Sequence, residues 1–411
     1  MCRAFFRAGL FIACLLFACN GPVAAQTTIG APLTYERALE LASARNLNVE
    51  AARRQRAIRE SAIRVARQIP NPDVSLELTQ DTPHQSVNID VPVELGGKRA
   101  RRIELAQAEL SLADLDVRTE LRAVRRDLRQ TFYTLVAADE RARLAESLVE
   151  IARRVRDAAQ SRFETGAAPR LEVLQADLGV ARAEADLELA RATRVAAQAT
   201  LNAVLNQPPE NALTIAGNLS DHVVPVSYEQ ALTAATTSNV DLLGLDRQID
   251  IEAHRLDLLR AERTPTPVFS AGGLFNNPGE FSSGSRVAIS IGVPIFSRNQ
   301  GEIAASIATT AQLRTKRDAI RRTVENEVYG ILARIDAERR QVDAYEQRLV
   351  PTATNLQELA EESYRAGRSS VLALLDAQRS LRDLRREALQ AALDLQLAFA
   401  ELEEVVGAPI Q

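Results

Sequence analysis

A chain of 411 residues has room for about two or three ordinary domains, but only 4% of it is aromatic and it has no Trp, which excludes a thick aromatic core. Ala, Arg, Leu and Glu dominate instead, a composition of long helices and coiled coils. The formal net charge is −4, and −6 without residues 1–25, which hold Arg3, Arg7 and no acid; this gives no electrostatic case for a nucleic-acid partner.

Residues 1–25 read as an export signal. Arg3 and Arg7 precede an apolar run, Leu10–Ala18, and Val23-Ala24-Ala25 places small residues before a cleavage point at Gln26. The run is too short for a membrane-spanning helix, which needs roughly 20 apolar residues. Leu16-Phe17-Ala18-Cys19 resembles a lipoprotein cleavage box, a second maturation route that would acylate Cys19. All three cysteines (Cys2, Cys14, Cys19) lie in this leader, so a chain cut after Ala25 has no thiol chemistry and no disulfide. No later segment is apolar enough to span a bilayer as a helix, so membrane contact must use a β-barrel or an amphipathic surface.

Thr34–Leu47 and Val49–Gln68 are predicted helices with a joint near Asn46 and Asn48. Pro70-Asn71-Pro72 ends the second, because proline has no amide to donate and restricts the residue before it. The hydrophobic period then changes to two. Val74, Leu76 and Leu78 alternate with Ser75, Glu77 and Thr79, and Val87, Ile89, Val91 and Val93 alternate with Asn88 and Asp90; with Asp81-Thr82-Pro83 between them, the two runs form a hairpin within residues 73–94.

Lys98–Thr165 contains neither Gly nor Pro and reaches about 100 Å if it is one helix. Its apolar positions, from Leu121, Val124 and Leu128 through Thr131, Leu135, Ala138, Ala142, Ala145, Val149 and Ala152, are spaced alternately three and four apart, as in coiled coils. Gly166–Pro169 breaks the run and Arg170–Asn206 is again helical. Residues 206–225, with Pro208, Pro209, Gly217 and Pro225, read as a linker.

The order then repeats. Tyr228–Arg263 is predicted helical, Phe269–Phe275 and Val287–Ile295 are strands around a loop rich in Gly, Asn and Ser, and Gln300–Val350 is a long helix. Pro351 is expected to kink it before it resumes to Arg365, and Val371–Val406 is the last helix. The segment from Leu33 to Leu39 matches that from Val226 to Leu232 at an offset of 193 residues, and Phe163-x-x-Gly166 matches Tyr364-x-x-Gly367 at 201. One ancestral unit, copied in tandem, accounts for both, with a first repeat at 26–225 and a second at 226–411. The fold class is mainly α with a small β part. One chain's strands cannot close a barrel around an open lumen, so other copies must complete them.

The chain resembles the TolC-like outer-membrane factors, the exit ducts of tripartite efflux and type I secretion systems. The likeness spans the whole mature chain and rests on Pro70-Asn71-Pro72, Glu94-Leu95-Gly96-Gly97-Lys98-Arg99, Val293-Pro294-Ile295-Phe296, Asn299-Gln300-Gly301 and the two turn motifs. The run from Glu94 to Arg99 is most similar to the branch serving heavy-metal cation exporters of the RND type. The resemblance implies a homotrimer whose strands form one outer-membrane β-barrel of about 12 strands. It also implies a coiled-coil α-barrel crossing the periplasm, a periplasmic membrane fusion protein and an inner-membrane RND transporter as partners, and no cofactor.

By alternation, Val74, Leu76, Leu78, Val87, Ile89, Val91, Val287, Ile289, Ile291 and Val293 would face outer-membrane lipid, and Ser75, Glu77, Asn88, Asp90, Ala288 and Ser290 the lumen. Glu77 and Asp90 would make a negative ring favouring cations, or simply solvate the pore. The resemblance places adaptor docking at Gly166, Ala168, Leu171, Leu174, Gly367, Ser369, Ser370, Val371, Leu372 and Leu375; ordinary helical-hairpin turns are the alternative. His84, His222 and His254 are too scattered for a metal site, and no nucleophile elbow, P-loop or zincin motif is present, so no catalysis is expected. The cargo expected is heavy-metal cations or other small toxic compounds, with type I protein secretion the alternative route. A periplasmic coiled-coil adaptor or scaffold is disfavoured, since adaptors carry one helical hairpin and this chain carries two.

Overall fold

The computed structural model describes residues 32–78, 85–221, 224–275 and 283–408. The leader with Cys19, and also His84 and His222, lie outside the described residues. The elements in order are α1 (Tyr35–Arg45), α2 (Leu47–Ala66), β1 (Asp73–Leu78), β2 (Gln85–Pro92), α3 (Lys98–Glu164), α4 (Arg170–Val204), α5 (Tyr228–Ser238) and α6 (Val240–Ala261). They continue as β3 (Pro267–Phe275), β4 (Gly284–Ile291), α7 (Gln300–Ala344), a π-turn (Tyr345–Leu349), α8 (Val350–Arg365) and α9 (Val371–Val406).

The short N-terminal helices of each half are set by caps. Asn46 accepts from the amides of Asn48 at 2.9 Å and Val49 at 3.4 Å, which starts α2. Asn239 does the same for Asp241 and Leu242, both at 3.0 Å, so the span Tyr228–Arg263, expected as one helix, is split there into α5 and α6. The cap residue is extended (φ −62°, ψ 120°), and its side chain replaces the helical bonds that the first-turn amides lack.

The strands form one antiparallel sheet in the order β1-β2-β3-β4, with β1 and β4 as its edges. The ladder between β3 and β4 ends at Pro267 opposite Ile291. Val293, expected on the lipid face, therefore lies beyond β4, because no β3 residue remains to pair it. Both sheet faces are open to solvent within one chain; Val74, Leu76 and Val287 are all strongly exposed.

α3 is the spine, and α2, α4, α6 and α9 pack along it. Of the expected seam positions, Val124, Leu128, Leu135, Ala138, Ala142, Ala145 and Val149 are buried, and Leu121, Thr131 and Ala152 are partly so. Phe132 and Tyr133 add the aromatic centre of the largest core cluster, where they meet Leu33, Ala38, Leu201 and Leu213. The segment read as a linker is part of this core. Leu33 donates to Thr214 O at 2.7 Å, Ala216 donates to Leu33 O at 3.0 Å, and Gly217 lies so close that a Cβ would stand 2.9 Å from Phe132 Cε1.

At the position where Pro351 is expected to kink it, the second long helix carries the π-turn just before the proline. Val350 N–H reaches back five residues to Tyr345 O, and the widened turn absorbs the amide that Pro351 cannot donate. The first half has no such break, and α3 runs unbroken for 67 residues.

Candidate functional site

Two helical tips end the molecule opposite the sheet. At the first, Gly166 has φ +71°, Gly166 donates to Phe163 O at 2.9 Å and Ala167 to Arg162 O at 2.7 Å. At the second, Gly367 has φ +73°, Gly367 donates to Tyr364 O and Arg368 to Ser363 O, both at 2.9 Å. A Cβ at either glycine would meet nothing within 4 Å, so it is the left-handed backbone, with space to spare, that calls for glycine.

The expected docking residues divide by exposure. Leu171, Leu174 and Leu372 stand outward at 62%, 55% and 53% exposure, an apolar rim at the tips. Gly166, Gly367 and Ser370 are exposed, and Ser369 and Leu375 are half-buried. Ala168 and Val371 are buried, so they shape the turns from inside; Val371 packs with Val155, Ala159, Tyr364 and Leu374.

A link between the tips went unread in the sequence. Tyr364 is fully buried, its hydroxyl donates to Glu172 Oε2 at 2.9 Å, and Arg162 donates to Tyr364 O at 2.9 Å while its guanidinium lies 4.5 Å from the ring centre. Burial first, and the hydrogen bond to Glu172 second, push the Tyr364 phenol up to about 12. The available signal was the mismatch in the repeat: Phe163 holds the position matching Tyr364, is 40% exposed and has no hydroxyl to place.

On the sheet, the register puts Glu77, Ser75, Asn88, Asp90, Ala288 and Ser290 on one face, as the alternation predicts. The same face holds two charges that the sequence reading did not place there: Asp73, paired directly with Asp90, and Arg286, paired with Gly272. Three acids and one arginine leave this face net negative. Ser86 donates to Glu77 Oε2 at 3.5 Å, and a Cβ on Gly272 would run into Asn88 Oδ1 at 2.2 Å, so glycine lets the Asn88 amide lie flat across β3. Among the described residues, no three His, Asp or Glu side chains converge as a metal site, and no helix is long and apolar enough to cross a membrane.

The family model for outer membrane efflux proteins matches residues 38–207 and 234–408. The cobalt-zinc-cadmium resistance protein CzcC of Cupriavidus metallidurans is 27% identical over 384 residues, which is 92% of this chain and 90% of CzcC. The nickel-cobalt-cadmium resistance protein NccC of Alcaligenes xylosoxydans xylosoxydans is 25% identical over 59% of this chain and 54% of its own. Among solved structures, CusC superposes with a TM-score of 0.75 at 17% identity, covering 91% of this chain and 92% of CusC. The Neisseria gonorrhoeae MtrE outer membrane channel superposes at 0.74 and 17%, covering 92% and 89% of the two chains.

Proposed function

Because this chain belongs to the outer membrane efflux protein family, we propose that it is a passive homotrimeric duct that lets heavy-metal cations leave the cell through the outer membrane. One observation carries this: an open sheet with an exposed apolar face and two unpaired edges adjoins a helix of about 100 Å. Its apolar face is uncovered within one chain, and its unpaired edges are templates for further strands. Pooling edges among copies removes the open strands and turns the apolar face to lipid.

The net-negative inner face suits cations, and the names of CzcC and NccC support a metal cargo. A duct needs no ligand set of its own, so selectivity belongs to the RND transporter that drives export. A periplasmic membrane fusion protein joins the two, seated on the tip rim of Leu171, Leu174 and Leu372. No catalytic step is assigned to any residue. The two matched segments support a repeat boundary near residue 225.

The test is conductance and size. Detergent-purified protein should scatter light as a trimer and open cation-preferring channels in planar bilayers. A monodisperse monomer without conductance would overturn the duct. For docking, Leu171→Glu with Leu372→Glu should abolish cobalt, zinc and cadmium resistance while leaving insertion intact. Full resistance in that variant would remove the tip rim as the seat.

A further inference from the structure

α4 and α9 both pack on α3 yet scarcely touch each other, and they leave a groove with α3 as its floor. Its upper part is a cavity of about 510 Å³ beside Arg141, Leu144, Leu189 and Arg386. A second cavity of about 650 Å³ continues towards the tips along Leu148, Ile151, Val155 and Leu178. The two share Ala145, Leu148, Asp186, Arg382 and Arg386, so the groove is continuous. Both volumes fall within the range of small-ligand sites, about 300–1,000 Å³.

The charges at its upper end are unlike those of the surrounding helices. Neighbouring arginines are matched by carboxylates: Arg143 to Asp139 at 2.6 Å, Arg153 to Glu184 at 2.9 Å, Arg191 to Glu146 at 3.1 Å. Arg141 instead donates to the neutral Gln390 Oε1 at 2.5 Å, and its pKa is pulled down by burial and then by the charge of Arg386, against the opposing charge of Asp394, which accepts from Gln390 at 2.6 Å. Of the acids along the groove, Asp383 holds Arg382 at 3.0 Å, Glu387 accepts from the Tyr345 hydroxyl at 3.1 Å, and Asp186 stands on the α4 wall. Among the described residues, then, Arg141 and Arg386 face one cavity with no carboxylate at ion-pair distance from either, above an apolar floor.

We propose that this groove binds a long-chain anionic amphiphile, its head group held by Arg141 and Arg386 and its hydrocarbon chain laid along α3 towards the tips. An anion between the two guanidinium groups removes their repulsion and accepts charge-assisted hydrogen bonds from both. Arg141 to Val155 spans roughly 20 Å of helix. That accommodates one acyl chain, which occupies about 15 Å as half of a bilayer's hydrocarbon core. The groove is complete within a single chain, so neither ring closure nor adaptor docking is needed to form it.

Equilibrium binding of radiolabelled palmitate to the full-length protein held in amphipol tests this. One saturable site per chain is expected, with hexadecanol, which has the tail without the charge, a poor competitor. Arg141→Gln with Arg386→Gln should weaken palmitate binding by roughly tenfold or more, and Arg153→Gln should leave it unchanged. Non-saturable binding, equal displacement by hexadecanol, or unaltered affinity in the double variant would overturn the proposal. The competition arm uses the unsubstituted protein, so it decides even if the double variant misfolds. Exclusion of palmitate by a groove that takes an acidic helical peptide instead would equally overturn it.

Discussion

The hydroxyl of Tyr364 donates to Glu172 across 192 residues of sequence, at 2.9 Å, and so fastens the second helical hairpin to the first at their tips. Arg162 closes the same junction from the other side, through the Tyr364 carbonyl and the face of its ring. The small apolar cluster around Val155, Ala159 and Leu374 holds the two tips together alongside this junction.

Tyr364→Phe keeps the ring and its contact with Arg162 and removes only the hydroxyl. It should cost about 1.5–3 kcal/mol locally, the range for a hydrogen bond to a charged acceptor. Hydrogen exchange at residues 360–376 should speed up by about tenfold or more, while exchange in the Phe132 and Tyr133 core stays unchanged. Equal protection in both proteins would show that the hydroxyl contributes nothing to tip order.

Arg129 and Glu403 make the most buried ion pair, at 2.9 Å with both side chains under a tenth exposed. Gln396 accepts from Arg129 at 3.0 Å and donates to Leu219 O at 2.8 Å and Asp221 O at 2.6 Å, so α3, α9 and the segment around residue 220 share one network. Glu403→Leu alone should destabilise by about 3–5 kcal/mol, the range for removing one member of a buried ion pair. Arg129→Met with Glu403→Leu should recover most of that loss in denaturant titrations. A double variant as unstable as the single one would show that the apolar surroundings cannot take over.

Much of this was legible because it depends on local chemistry. The limits of α3 and α9 follow from Gly and Pro placement, and the sheet faces follow from strict alternation of Val, Leu and Ile with polar residues. Several of the misses depend on partners far along the chain. Arg129 and Glu403 look like ordinary members of Arg- and Glu-rich helices until they are buried against each other. Asp73 and Arg286 share the polar face with Ser75 and Ala288 by simple alternation, but each stands just before the first apolar strand position, Val74 or Val287, from which the alternation is counted; residues 206–225 read as a linker because proline marks a turn whether or not the turn is packed. At the tips, the glycines announced themselves through backbone geometry, whereas Glu172 had no local signal pointing to Tyr364.

Where the sheet meets the helices, Glu94 accepts from Arg102 at 2.7 and 3.1 Å, and Arg102 also donates to the carbonyls of Ala66 and Gln68. The hydrogen bond from Arg102 holds the Glu94 carboxyl below its ordinary value of 4.5. A depressed carboxyl binds its proton more weakly folded than unfolded. Its contribution is therefore complete above the ordinary value and is lost as pH falls below it. Thermal melts should show a decline below about pH 4.5 that is shallower in Glu94→Gln. An identical acid profile in that variant would remove Glu94 as a source of the decline.

Asp73 stands directly across from Asp90 on the polar face of the sheet. Like charges in directly opposed strand positions are destabilising by a few tenths of a kcal/mol or more, so the pair has a cost that uncharged residues would avoid. With this face lining the proposed duct, cations inside it would offset that cost, and the pair would in turn raise their local concentration. Arg286 on the same face acts against it. Reversal potentials across a potassium chloride gradient should therefore move in opposite directions. Asp73→Asn with Asp90→Asn should shift the potential towards zero, and Arg286→Ser should shift it further towards the cation limit. The asparagine variant should also be slightly more stable, since the repulsion is gone. Reversal potentials unchanged in both variants would mean that selection takes place elsewhere along the duct, and that the acidic pair only wets the wall.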